Sequence, residues 1–90
     1  MTEIDVHAVD EGRFRVEVKA GGARHSYEVG VPAELVARLG AEPAEVVRAT
    51  LAFLLDREPP SSILASFDCS IVPSYFPDYE SELPGYLTKG

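Results

Sequence analysis

Cysteine and methionine each occur once in this sequence, and tryptophan does not occur at all. A single cysteine, Cys69, excludes an internal disulfide and a multi-cysteine zinc centre. Basic residues are also few: eight Lys and Arg stand against fifteen Asp and Glu, a net charge of −7. Phosphate backbones repel such a chain, which disfavours broad nucleic-acid binding and leaves only a local basic patch on a dimer as a route to it. Long hydrophobic runs are missing; the longest, around Leu51 to Leu55, is far too short to span a bilayer. The opening MTEIDVHAVDE has neither the basic residues nor the apolar core of an export or transit signal, which predicts a cytoplasmic protein. Nothing matches G-x-x-x-x-G-K, G-x-G-x-x-G or G-x-S-x-G, so no phosphate cradle or nucleophile elbow is written in the chain.

What is present is a globular composition, 46% apolar in 90 residues, enough for one domain with a thin core. Residues 2–29 alternate as three strands. Ile4, Val6 and Ala8 face inward in the first, Phe14, Val16 and Val18 in the second, and His25, Tyr27 and Val29 in the third. Asp10-Glu11-Gly12 fits a three-residue hairpin loop, and Gly21-Gly22 a two-residue primed turn. These turns pair Ala8 with Phe14, Val6 with Val16 and Ile4 with Val18, then Val18 with His25, Val16 with Tyr27 and Phe14 with Val29. Both registers bring the apolar sets to one face, which a one-residue slip would destroy. On the wet face Arg15 falls opposite Glu28, and Lys19 opposite Arg24.

Pro32 suits a helix's first turn, Leu35, Val36 and Leu39 form its apolar stripe, and Gly40 suits its left-handed cap. Pro43 opens a longer helix whose Val46, Val47, Thr50, Phe53 and Leu54 recur at helical spacing, and which Pro59-Pro60 must end by Glu58. Ser61 or Ser62 is expected to cap a short helix carrying Ile63 and Leu64, and Asp68 another turn holding Ile71 and Val72. The expected fold is therefore α+β: a three-stranded antiparallel meander, two helices, and a short helical or irregular C-terminal segment packed on one sheet face. Residues 1–90 form one domain, with 84–90 a mobile tail.

Candidate chemistry is sparse. His25 lies on the inferred inner face, where it is either a pocket base or a partly buried sheet histidine; no second ionisable group is placed beside it, which favours the latter. His7 falls on the opposite face, so the two histidines do not make a metal site. Cys69 reads as a small buried hydrophobe. Asp78, Glu80 and Glu82 lack the loop glycine and ligand pattern of a calcium hand and read as a solvated acidic edge. The most distinctive stretch is FLLDREPPSSILASFDCSIVPSYFPDYE, Phe53 to Glu80. Its aromatics and acids read either as a docking surface, with Phe67, Tyr75, Phe76, Tyr79 and Glu80 as contacts, or as a segment that wraps the core.

This stretch resembles the closing signature of a family of small uncharacterised bacterial proteins, FLL-x-R-E-P, S-I-L, F-D-x-S-x-I and Y-F-P-x-Y-E. The matching residues are Phe53, Leu54, Leu55, Arg57, Glu58, Pro59, Ser62, Ile63, Leu64, Phe67, Asp68, Ser70, Tyr75, Phe76, Pro77, Tyr79 and Glu80. Val72 and Pro73 depart from that pattern, and the resemblance implies no activity. His25 to Arg57 is similar to a ribbon-helix-helix unit, which would dimerise through one strand and read DNA with Arg24, Ser26 and Glu28. The leading expectation is a non-enzymatic interaction or regulatory module, monomer or homodimer, that docks a protein partner through the acidic aromatic region, with no cofactor, metal or membrane. A ribbon-helix-helix DNA-binding or antitoxin protein is the alternative. A small enzyme or ligand-binding protein with a pocket near His25 is the third.

Overall fold

A computed structural model describes residues 2–87. Three eight-residue strands, β1 (Glu3–Asp10), β2 (Arg13–Ala20) and β3 (Ala23–Gly30), form the antiparallel meander. Its registers are the expected ones, Ala8 with Phe14, Val6 with Val16 and Ile4 with Val18, then Val18 with His25, Val16 with Tyr27 and Phe14 with Val29. Gly21 and Gly22 have φ of 59° and 82°, the pair of positive values that a primed turn needs and that side chains resist. Gly12, at φ 73°, takes the left-handed position of the first loop, and the register shifts between Ala8 and Asp10. Arg15 and Glu28 are partners, but the Glu28 carboxylate reaches diagonally to Arg13 instead, at 3.9 Å.

The helices follow their punctuation. Helix α1 (Ala33–Leu39) starts after Pro32, whose carbonyl accepts from the N–H groups of Leu35 and Val36, and closes at Gly40 with φ 67°. Helix α2 (Pro43–Leu55) has Pro43 in its first turn, where the missing N–H costs nothing, and ends ahead of Pro59-Pro60. It lies over the β1 side of the sheet and buries Val46, Val47, Thr50, Leu51, Phe53 and Leu54.

Beyond α2 the structure departs from the sequence expectation. Ser61 and Ser62 cap no helix; Pro60–Ser62 is a single 3-10 turn, after which Ile63 and Leu64 run extended. The chain then enters a fourth strand, β4 (Ser66–Asp68), which pairs parallel to β3 and gives the order β1-β2-β3-β4. The sheet is thus mixed and four-stranded, not a three-stranded antiparallel meander alone. Asp68 does cap as expected: its side chain accepts from the Ser70 N–H and starts a 3-10 turn, Cys69–Ile71. A one-turn helix α3 (Val72–Tyr75) with Pro73 in its first turn follows, then α4 (Tyr79–Leu87), which packs chiefly on α2. Within the expected mobile tail, residues 84–87 continue α4 and the Tyr86 hydroxyl donates to Asp56 at 2.5 Å; residues 88–90 lie outside the described residues.

The core joins the inner sheet face to α2 and α4 through Val16, Val18, Val29, Leu51, Phe53, Tyr79 and Leu83, each wholly buried. Three members of the expected inner set differ. Ile4 and Val6 are only half-buried and Ala8 is exposed, because β1 is an edge strand that the cover does not fully reach. The ribbon-helix-helix expectation meets an obstacle in this topology. Such a ribbon needs an edge strand, and β3 is paired on both sides, to β2 and to β4.

Candidate functional site

The segment after α2 builds a cleft. Pro59-Pro60 turns the chain sharply, and the Tyr27 hydroxyl anchors that turn by donating to the Pro60 carbonyl at 2.5 Å. Ile63 drops into the core, Leu64 stays 52% exposed, and the Glu28 N–H bonds the Ala65 carbonyl as β4 begins. The turn capped by Asp68 then swings α3 across, so that Phe67, Tyr75 and Phe76 face Leu54, Ile63 and Leu64 over a cleft of about 170 Å³. Glu58 stands at its border and forms no ion pair among the described residues. The lining is mostly apolar, and Tyr75 is 65% exposed.

The five residues expected as partner contacts separate into three groups. Phe67, Tyr75 and Phe76 share the cleft. Tyr79 does not: it is fully buried, and its ring meets Phe53 edge-on at 5.3 Å. Thr50 Oγ1 donates to the Val46 carbonyl and so accepts from the Tyr79 hydroxyl, 2.7 Å away. Tyr79 belongs to the core because its hydroxyl finds a partner there and its ring fills the space under α2. Glu80 is exposed on α4 and pairs with Arg38 of α1 at 2.8 Å, outside the cleft. Leu64 and Glu58 are cleft residues that sequence reasoning did not select. Leu64 was assigned to a helix, and Glu58 carries no pattern of its own.

The acidic aromatic stretch is also its own scaffold. Phe53 is ringed edge-on by Phe76, Tyr79 and Tyr86 at 5.8, 5.3 and 5.9 Å, and the Arg57 guanidinium lies 3.7 Å over its centroid. Arg57 also holds Asp78 at 2.8 Å, and this hydrogen bond pulls the Asp78 carboxyl below the ordinary carboxylate range. Cys69 is buried, 3.7 Å from Thr50 Oγ1, and burial pushes its thiol up, away from the reactive thiolate.

His25 is half-buried beside Tyr27, with ring centroids 6.5 Å apart, and borders neither this cleft nor a second groove near Ile4. His7 is exposed. Among the described residues no three His, Cys, Asp or Glu side chains gather as a metal site, and no helix is long and apolar enough to cross a membrane. No protein-family model, curated protein or solved structure matches the chain.

Proposed function

We infer that this chain is a non-enzymatic docking module whose recognition element is the cleft between the Ile63–Phe67 segment and α3. The observation that carries this reading is the union of Leu64, Phe67, Tyr75 and Phe76 around one open apolar recess, with the Glu58 carboxylate, which has no ion-pair partner among the described residues, at its border. Apolar recesses rimmed by charge are what short protein segments use for anchoring. A recess of about 170 Å³ holds one large side chain rather than a whole helix. Glu58 and the net charge of −7 favour a Lys or Arg next to that anchor. The partner is thus a protein segment with a bulky apolar residue flanked by a basic one. Phe53, Arg57 and Asp68 brace the recess from behind. A cytoplasmic setting is part of this proposal.

Selection of random peptides on the immobilised chain, followed by calorimetry, tests the proposal. Enriched peptides should share an apolar residue beside Lys or Arg. Tyr75→Ala should weaken them at least about tenfold, as truncation of an anchor does, and Glu58→Lys should invert the preference for basic flanks. Enriched peptides indifferent to both substitutions would overturn it.

A further inference from the structure

Among the described residues the longest free sheet edge is β1, and its chemistry matches itself. The Val31 N–H donates to the Gly12 carbonyl at 2.8 Å, which fixes the alternation of the β2–β3 ladder. Even-numbered residues of β2 turn their backbone groups toward β3, so the odd-numbered ones serve β1. Opposite Lys19, Glu17 and Arg15 stand Glu3, Asp5 and His7, which therefore hold the β1–β2 bonds. Ile4, Val6 and Ala8 are left to present N–H and C=O groups outward. This edge has no proline and no lysine, the usual guards against pairing.

The same residues lack cover. Ile4 and Val6 are half-buried and Ala8 is exposed, while their neighbours Val18, Val16 and Phe14 are 0, 0 and 7% exposed. Beside Ile4 lies the second groove, bordered by Arg48 and Ala52 of α2 and by Asp56 at its C-terminal cap, which accepts from the Tyr86 hydroxyl. Arg48 forms no ion pair among the described residues.

We propose that a second copy of this chain pairs antiparallel with β1, about a two-fold axis normal to the sheet between the two Val6 residues. Such an axis keeps the helices of both copies on one side of a continuous eight-stranded sheet, and each residue meets one of the same face. Centred on Val6, the register sets Ile4 opposite Ala8 and Asp5 opposite His7, each twice, within the regular stretch of β1 that ends at the shift between Ala8 and Asp10. Moving the centre to Asp5 or His7 sets that residue against its own copy. The helices repeat the match. The two-fold runs both α2 antiparallel with their β1-side faces opposed, and that face reads Arg48, Ala52, Asp56 at four-residue steps. Its basic end therefore turns toward the partner's acidic end across a small residue. A foreign strand would have to supply both patterns; a second copy carries them already.

Sedimentation equilibrium of the full chain over a wide concentration range, at low salt, is the test. Wild type should dimerise. His7→Asp leaves the fold favourable, since position 7 faces Arg15 within the chain, yet it sets two like-charged pairs across the axis. Dissociation should tighten or loosen accordingly: H7D weakens the dimer about tenfold, and the double variant Asp5→Lys, His7→Asp returns it to near the wild-type value. Position 5 faces Glu17 within the chain, so the second change does not cost the fold. Amide exchange at Ile4, Val6 and Ala8 should slow as concentration rises. A monomer throughout, or a dimer indifferent to the charge exchange and protected elsewhere, would overturn the proposal.

Discussion

Thr50 carries more of the core than its size implies. Among the described residues it is wholly buried despite its hydroxyl, and it links Val46, Cys69 and Tyr79. Every buried side-chain polar atom among the described residues has a partner, so the cluster is closed. Thr50→Val would take from the Tyr79 hydroxyl its oxygen partner and leave it only the weakly bonding Cys69 thiol, and should cost about 1–3 kcal/mol in chemical denaturation. Tyr79→Phe removes the hydroxyl along with the bond, so it should cost only about 1 kcal/mol. The same cluster sets an alkaline limit. Burial raises both the Cys69 thiol and the Tyr79 phenol, so the folded state holds protons that the unfolded chain releases first. The contribution of this pair to stability should therefore be level below about pH 8.5, fall as pH rises past that thiol value, and fall further past about 10. Cys69→Ala should remove the first step of a stability–pH curve and keep the second. The sequence placed Thr50 on the buried stripe of α2 by its spacing, but its partner lies 29 positions away. Tyr79 therefore stays open in the sequence between docking contact and core, since composition alone does not tell a wetted ring from a buried one.

At the scale of elements, what was legible depended on how local the instructions are. The meander was readable because each turn is two or three residues long and its glycines admit only certain hairpins. Helices α1 and α2 were readable because Pro32, Gly40, Pro43 and Pro59 mark their limits. Strand β4 was not: three residues show no period, and what holds them is β3, far back in the chain. One close approach makes that pairing testable. A Cβ on Gly30 would stand 2.7 Å from Asp68 Oδ2, while Oδ1 of the same carboxylate caps the Ser70 N–H. Gly30→Ala should push Asp68 off its cap and cost about 1–3 kcal/mol. A double-mutant cycle with Asp68→Ala should be markedly non-additive, because both changes end the same cap. The recess next to β4 was half-legible for this reason. Phe67, Tyr75 and Phe76 stood out as aromatics, but Leu64 joins them only because the strand carries it there.

Across the whole molecule, the C-terminal third is structure as well as surface. Ile63, Cys69, Val72, Tyr79 and Leu83 all belong to the core. A chain cut after Pro60 should lose cooperative thermal unfolding, so point substitutions at Leu64 or Tyr75, both largely exposed, are the means to separate binding from folding. The charge is also unevenly spread. The open sheet face holds Arg13, Arg15, Lys19 and Arg24 against Glu3, Asp5, Glu17 and Glu28, which balance. The excess of acid therefore lies on the helical side and at the loops. The parallel strand bears finally on the order in which the fold assembles. A nascent chain can close its two hairpins as soon as they clear the ribosome, because their contacts are local. The outer edge of β3, however, stays unpaired until Ser66–Asp68 has been made, several seconds later at synthesis rates of about 5–20 residues per second. During that interval β3 offers the open edge that it lacks in the finished molecule, and slowing translation between Gly30 and Ser66 should raise the insoluble fraction of the newly made protein.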